Sequence, residues 1–202
     1  MNQTIDIQLI QKLREISGAG VLDCKKALEQ TNGNIEKALQ ILREKGATQV
    51  LKKSVREAKN GLISAYIHHG DKIGVLLEVN CETDFVARTD EFKNLVKELG
   101  LQIAAANPLW VSSQQIPKDV IEREKEIYKK QLLHENKPEK MIEKIIEGKL
   151  QKFYDQVCLL EQPYIRDPQG KQKVKDLVNS VIAKTGENIV VKRFVRFQLG
   201  EE

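Results

Sequence analysis

The residues of this sequence whose types could carry out covalent or metal chemistry are its three cysteines and three histidines. Cys24, Cys81 and Cys158 lie far apart and form no CxxC pair. We therefore expect reduced thiols that pack as small apolar side chains, rather than a zinc site or a disulfide framework. The pair His68-His69 has no partner at metal-ligand spacing and is expected in an exposed turn. Neither set predicts a catalytic or a metal site.

The familiar sequence motifs of enzymes are also missing. The chain contains no P-loop, no GxGxxG after a strand, no HExxH and no GxSxG. The glycine-rich segment Gly18-Ala19-Gly20 lacks the Lys-Ser/Thr that a phosphate-binding loop requires, and it is interpreted as a turn that ends a helix. We therefore predict a protein that acts by binding, with no catalytic residue, no metal and no cofactor.

The most unusual segment is Glu78–Arg88, with the sequence EVNCETDFVAR. The apolar run Ile73–Leu77 leads into it as a strand would, and the chain then becomes polar. Phe85 lies within this polar turn, where either the protein's own core or a partner must cover a large apolar side chain. The residues alone leave these two alternatives open.

The composition is that of an ordinary soluble protein, with 41% hydrophobic and 31% charged residues and a net charge of +4. No apolar stretch approaches the ~20 residues that span a bilayer, and the N-terminus lacks the features of a secretory signal. The basic cluster Lys52, Lys53, Arg56 and Lys59 is interpreted as a solvated linker. Aromatic residues, at 5%, are too few for a base-stacking platform. We expect no membrane and no direct nucleic-acid partner.

Three short helices are predicted in residues 1–46 from apolar residues at helical spacing. Their stripes are Leu9, Ile10, Leu13 and Ile16; Val21, Cys24 and Leu28; and Ile35, Ala38, Leu39 and Leu42. Asn34 is expected to cap the third helix and Gly46 to end it. Such helices can bury their stripes only against each other, so a three-helix bundle is predicted, followed by a charged, partly helical linker at 47–60.

The pattern changes to that of strands after the linker. Two apolar runs around the turn at 68–72 predict a β-hairpin. The alternating run at 189–199 predicts a final strand, and 157–160 is expected to form another short one.

Further helices are predicted by apolar stripes at 92–106 and 174–182, and by Pro117 and Pro138, each of which opens a helix. The last two are expected to pair as a helical hairpin at about 117–154. This order of elements predicts an α+β fold, with a small antiparallel sheet in a core that covers residues 61–202.

Several segments, in the same order along the chain, resemble the translation elongation factor Ts family, of the short bacterial or plastid type. They are Leu13–Leu28, Glu78–Arg88, Glu143–Phe153, Leu159–Pro163 and Lys192–Phe197. The resemblance implies an N-terminal bundle like a ubiquitin-associated domain and an α+β dimerisation core. It also implies a guanine-nucleotide exchange factor that binds elongation factor Tu in the GDP-bound and nucleotide-free states. The expected location is the cytoplasm of a bacterium, or the stroma if the chain is plastid-encoded.

The resemblance further implies which residues contact the partner. The family's Thr-Asp-Phe-Val motif corresponds to Thr83, Asp84, Phe85 and Val86, and its aromatic residue disturbs the magnesium and phosphate site of elongation factor Tu so that GDP leaves. Asp84 is expected either to orient the turn by accepting backbone N–H groups or to meet the partner directly. The end of the first helix and the following loop are implied as a second contact, through Arg14, Val21 and Leu22. Methionines are common in the family where this chain has Val21 and Leu22.

The length of the chain has room for about one of the two related core halves of long family members. We therefore expect a homodimer joined through the core sheet, in a two-plus-two complex with elongation factor Tu. Three other functions stay open: a binding module for ubiquitin-like or nascent-chain partners, a nucleic-acid protein that uses Lys52–Lys59, and an enzyme without recognisable residues.

Overall fold

The computed structural model describes residues 5–17, 19–135 and 138–201. In this part of the chain eight α-helices, two short 3-10 helices and three strands follow one another. Their order is α1 Ile7–Ser17, α2 Val21–Gln30, α3 Ile35–Lys53, β1 Asn60–Ile67, β2 Ile73–Cys81, α4 Asp84–Ala87, α5 Asp90–Ala106, 3-10 helix Ser113–Gln115, α6 Lys118–His134, α7 Glu139–Val157, 3-10 helix Leu159–Glu161, α8 Val174–Thr185 and β3 Ile189–Gln198. The predicted α+β class with a small antiparallel sheet is confirmed.

The first three helices pack around one apolar cluster, as their stripes predict. Its buried members are Leu13, Cys24, Ala27, Leu28, Ala38 and Leu42. The turn between α2 and α3 contains Gly33 at φ +82°, a left-handed conformation that glycine adopts without strain. Asn34 caps α3, because its side-chain oxygen accepts a hydrogen bond from the Lys37 N–H at 3.0 Å.

The prediction that Gly46 ends the third helix is wrong, because α3 continues to Lys53. A glycine inside a helix costs only about 1 kcal/mol relative to alanine. The residues after Gly46 include Ala47, Leu51 and two lysines, which are good helix formers. The helix therefore extends into the charged segment predicted as a partly helical linker, and it ends at Lys53 with Ser54 as its C-cap.

The sheet has the strand order β1-β2-β3, with β2 in the centre. The His68 N–H donates to the Ile73 carbonyl at 2.9 Å and closes the β1–β2 hairpin, while the Leu199 N–H donates to the Lys72 carbonyl at 2.8 Å beyond the end of β3. One face of β2 is buried through Val75, Leu77, Val79 and Cys81. The predicted hairpin and the predicted final strand are confirmed.

The short strand predicted at 157–160 is wrong. Helix α7 extends to Val157, and Cys158 forms a single isolated bridge with Trp110 before a 3-10 turn begins. Cys158 and Leu159 are fully buried. Their apolar character therefore reflects core packing in a turn, and in the described residues no second strand pairs with them beyond that bridge.

Helices α6 and α7 pack against each other, with the Lys149 ammonium 5.4 Å from the centre of the Tyr128 ring and 3.1 Å from the Gln131 side-chain oxygen. Among the helices that the structure describes, none combines the length and the apolar composition needed to cross a bilayer.

Internal contacts divide the chain into two units. The first comprises residues 1–62, 79–95 and 176–190, and the second comprises 63–78, 96–175 and 191–202. The bundle, the end of β2 and α4 belong to the first unit. The predicted division at 46 and 60 stays a prediction.

Candidate functional site

The turn that follows β2 is organised by Thr83. This residue is the N-cap of the short helix α4, and its hydroxyl oxygen accepts a hydrogen bond from the Val86 N–H at 3.3 Å. A threonine suits this position because its side-chain oxygen replaces the missing intrahelical acceptor of the first turn. Thr83 thus sets the direction in which the next residues leave the strand.

Thr83 is in turn held by the carboxylate of Glu187, in the loop between α8 and β3. One carboxylate oxygen accepts from the Glu82 N–H at 3.1 Å and from the Thr83 N–H at 3.0 Å. The other oxygen accepts from the Thr83 hydroxyl at 2.6 Å. Hydrogen bonds to an ionised acceptor are roughly twice as strong as neutral ones. The strand end is therefore fastened to a segment about 100 residues away.

A second set of hydrogen bonds fastens the same turn through Glu82. Its carboxylate accepts from the Asn188 N–H at 2.6 Å, and its backbone carbonyl accepts from the Asn60 side chain at 2.7 Å. The Asn188 side chain donates to the Arg56 carbonyl at 2.8 Å. Glu187, in the loop between α8 and β3, thus accepts hydrogen bonds from the turn, and Glu82, in the turn, accepts one from the same loop.

This anchoring separates the environments of Phe85 and Val86. Val86 and Ala87 are each only 5% exposed, whereas Phe85 is 76% exposed. Of the two alternatives that the sequence left open, core burial of Phe85 is wrong for this chain. The protein displays the phenylalanine on a turn whose other apolar residues are packed.

The charged side chains next to Phe85 lie at the surface. Asp84 forms an ion pair with Arg88, with 2.8 Å between the carboxylate oxygen and the guanidinium nitrogen. Both side chains are more than two-thirds exposed. The backbone N–H groups of the turn donate to Thr83 and Glu187. The orienting role considered for Asp84 is therefore carried by these two residues.

Cys81, at the end of β2, contributes packing and no nucleophile. Its thiol donates to the Thr83 carbonyl at 3.1 Å and is fully buried. Burial raises the pKa of the Cys81 thiol, and the negative charge of Glu187 raises it further. A thiol with a raised pKa stays protonated at neutral pH and is unreactive.

The second predicted contact lies on the three-helix bundle. Arg14 is exposed in the last turn of α1, and Val21 and Leu22 are the first two residues of α2, 50% and 73% exposed. These three residues thus lie on either side of the connection between α1 and α2. In the described residues no hydrogen bond or ion pair joins them to the Thr83 turn.

The remaining candidates from the sequence show no site chemistry. His68 and His69 are exposed at the end of the hairpin, where the His68 ring lies 3.2 Å from the Tyr66 hydroxyl. Among the residues that the structure describes, no group of three or more His, Cys, Asp or Glu side chains could hold a metal ion.

Sequence reasoning missed Glu187 and Asn188. They lie in the polar break between the helical stripe that ends near Ile182 and the strand that begins at Ile189. The break itself was visible, but nothing local connected it with the end of β2.

The fold is thus of the α+β class, and its candidate site is an exposed apolar side chain on a turn that Thr83, Glu187 and Glu82 fasten. The model of the family "Elongation factor TS" matches residues 2–201. Proteins called elongation factor Ts from Thermoanaerobacter sp. (strain X514) and from Thermotoga maritima are 58% and 59% identical over 197 residues. These alignments cover 98% of this chain and 96% and 97% of the two relatives. The same protein from Thermodesulfovibrio yellowstonii is 55% identical over 197 residues, with 98% and 97% coverage. The chain belongs to the elongation factor Ts family.

Proposed function

We propose that this chain acts as the nucleotide-exchange factor of elongation factor Tu in translation elongation by inserting Phe85 into its partner. Family membership over almost the whole chain supports the role and the partner. The observation that carries the mechanism is the 76% exposure of Phe85 on a turn whose neighbours Val86 and Ala87 are buried. The turn holds the backbone of Phe85 in place, so little backbone freedom is lost when a partner buries the ring.

The inserted ring disturbs the site at which the GDP-bound partner holds magnesium and phosphate, and GDP leaves so that GTP can bind. Linkage requires that the factor weakens GDP binding by the same ratio by which GDP weakens binding of the factor. The contact made by Phe85 must therefore be stronger in the nucleotide-free complex than in the GDP complex. Thr83 and Val86 support the backbone of this contact, and the exposed Asp84 faces the partner beside the ring.

Arg14, Val21 and Leu22 form the second contact. Arginine is a residue type enriched at protein interfaces, and the exposed Val21 and Leu22 add apolar surface that a partner can cover. This contact does not involve the nucleotide site of the partner. It therefore adds the same affinity to the GDP-bound and to the nucleotide-free complex. The bundle thus recruits the partner, and the Thr83 turn changes its nucleotide affinity.

The chain is further proposed to form a homodimer through its sheet. We define the open sheet face as the exposed apolar residues Ile63, Ile67, Leu76, Val195 and Phe197, which are 41–69% exposed. On β1 and β2 the side chains alternate, so Ile63, Ile67 and Leu76 lie on the face opposite the buried one. On β3 the burial pattern changes phase after Val191, so that Val195 and Phe197 are exposed. Arg196, between them, points the other way and donates to the Ala104 carbonyl at 3.3 Å. Several exposed apolar side chains on one sheet face are typical of a subunit interface. The Arg193–Glu78 ion pair also joins β3 and β2, at 2.7 Å. Two copies joined there would bind two molecules of elongation factor Tu.

The bacterial cytoplasm is the proposed place of action, because the relatives described above are bacterial. The plastid stroma stays a prediction for a plastid-encoded chain. The proposed protein makes and breaks no covalent bond, so no residue is assigned a catalytic role.

Release of a fluorescent GDP analogue from purified elongation factor Tu tests the proposal. The chain should accelerate release strongly, and the Phe85→Ala variant should lose most of this acceleration while it stays folded. Equal acceleration by both proteins would refute the role of Phe85. No acceleration by either would refute the proposed function and direct attention to other partners of the bundle.

A further inference from the structure

We propose that Glu187 is a positioning residue for nucleotide exchange, which acts through Thr83 to hold the backbone from which Phe85 projects. The inference rests on the proposed function of Phe85 and extends it to a residue 104 positions beyond Thr83 in the chain. Glu187 lies in the loop before β3 and is not part of the exposed turn itself.

The first observation is the geometry around the Glu187 carboxylate. It accepts the N–H groups of Glu82 and Thr83 with one oxygen and the Thr83 hydroxyl with the other, at 3.1, 3.0 and 2.6 Å. An ionised carboxylate is the side chain that accepts at both oxygens and donates at neither. In the described residues no lysine or arginine forms an ion pair with it. The three donors of the turn are therefore the partners that match this group.

The second observation is a relay through the Thr83 hydroxyl. A hydroxyl has one proton, and this proton is directed to Glu187. The oxygen lone pairs are thereby turned toward the Val86 N–H, which donates to them at 3.3 Å. Glu187 thus fixes the rotation of the group that caps α4.

Helix α4 depends on this cap because it has only four residues. A helix of that length has no stability of its own, since a single turn fixes many dihedral angles for few hydrogen bonds. Phe85 is the second residue of α4. The direction of its side chain is therefore set from outside the helix, by Thr83 and, behind it, by Glu187.

Loss of the Glu187 contact should loosen this turn without unfolding the unit. Glu82 keeps the turn attached through Asn188 and Asn60, at 2.6 and 2.7 Å. Val86 and Ala87 also stay buried. A Glu187→Gln variant keeps the shape of the side chain but replaces one acceptor oxygen with an NH2 group that faces donors of the turn.

The test is release of fluorescent GDP from elongation factor Tu, measured against the concentration of the factor. For Glu187→Gln we expect the maximal release rate to fall about tenfold, equivalent to about 1.4 kcal/mol. The half-saturating concentration should change less than about twofold, because the contact made by the bundle is untouched. The matched control is Glu98→Gln, which removes a carboxylate that accepts the Tyr164 hydroxyl at 2.7 Å in the second unit. This control should keep the wild-type rate of GDP release even if its melting temperature falls as far as that of Glu187→Gln.

A double-mutant cycle with Phe85→Ala separates positioning from a purely structural role. If Glu187 acts through Phe85, Glu187→Gln should change the residual rate of Phe85→Ala less than about twofold. A full tenfold effect of Glu187→Gln in the Phe85→Ala background would overturn the inference. The inference would also be overturned if Glu187→Gln kept the wild-type maximal rate while Phe85→Ala lowered it. A wild-type rate of Phe85→Ala would overturn the proposed role of Phe85 together with the inference, whereas no acceleration by the wild-type chain would overturn the proposed function itself.

Discussion

The neighbouring residues Phe85 and Val86 are expected to respond to truncation in different ways. Phe85 is 76% exposed, so Phe85→Ala removes almost no contact within the chain. Exposed substitutions usually change the free energy of unfolding by no more than about 0.5 kcal/mol. For a chain of this length that corresponds to a melting shift of no more than about 2 °C.

The same substitution should lower exchange severely. Complete burial of a phenylalanine side chain is worth about 1.5–3 kcal/mol. Since 76% of Phe85 remains to be buried by a partner, its insertion contributes about 1–2 kcal/mol. This amount corresponds to a factor of roughly 5–30 in the maximal rate of GDP release, if the contact forms only as the nucleotide leaves.

Val86→Ala provides the contrast in stability. Val86 is 5% exposed, and deletion of its two methyl groups should cost about 2 kcal/mol from lost burial and the cavity left behind. The melting temperature should fall by about 4–8 °C. Leu109→Ala is the matched control for an exposed apolar side chain, since Leu109 is 59% exposed, and it should change neither melting nor exchange.

Calorimetry and stopped-flow GDP release on these three variants decide whether Phe85 serves partner binding or core packing. The reasoning is refuted if Phe85→Ala melts as early as Val86→Ala and still exchanges nucleotide at the wild-type rate. That result would mean that the ring is packed in the core in solution.

The remaining predictions concern the dimer, the thiols and the response to pH. Phe197→Asp places a charge on the open sheet face and should convert the dimer to a monomer in analytical ultracentrifugation, whereas a wild-type monomer at micromolar concentration would refute the dimer. All three cysteines are fully buried, and burial raises the pKa of the Cys158 thiol to about 11, so an alkylating reagent at pH 8 should label none of them in the native protein and all of them after denaturation. Burial and the hydrogen bond to Glu98 raise the pKa of Tyr164 from 10.0 to about 12. The protonated phenol therefore stabilises the folded state fully below pH 10, and this contribution is lost as the pH rises toward 12. Tyr164→Phe should make the unfolding free energy less dependent on pH in that range, and an unchanged dependence would contradict the assignment.

The local elements of this fold were predictable because their signals are local. The stripe through Leu13 and the cap at Asn34 each depend on residues within one or two turns. The errors arose where a weak local signal met a tertiary requirement. Gly46 costs too little to end a helix with good helix formers on both sides. The apolar residues Cys158 and Leu159 serve a buried turn, which has the same composition as a short buried strand.

The candidate site was predictable in part. The sequence singled out Phe85 as an apolar residue in a polar turn, but it could not decide what covers the ring. That decision depends on which residues of the turn face the core. The structure answers it through Val86 and Ala87, which occupy the buried side.

Glu187 was beyond local reasoning for a reason that the sheet makes clear. In an antiparallel pair the end of one strand lies beside the beginning of the other. Since β3 pairs with β2, the residues just after Cys81 must meet those just before Ile189. The hydrogen bonds from Glu82 and Thr83 to Glu187 are the direct consequence of this pairing. The sequence predicted both strands but not the order β1-β2-β3. Only the pairing of β3 with β2 places the polar residues before β3 next to the turn that carries the exposed Phe85.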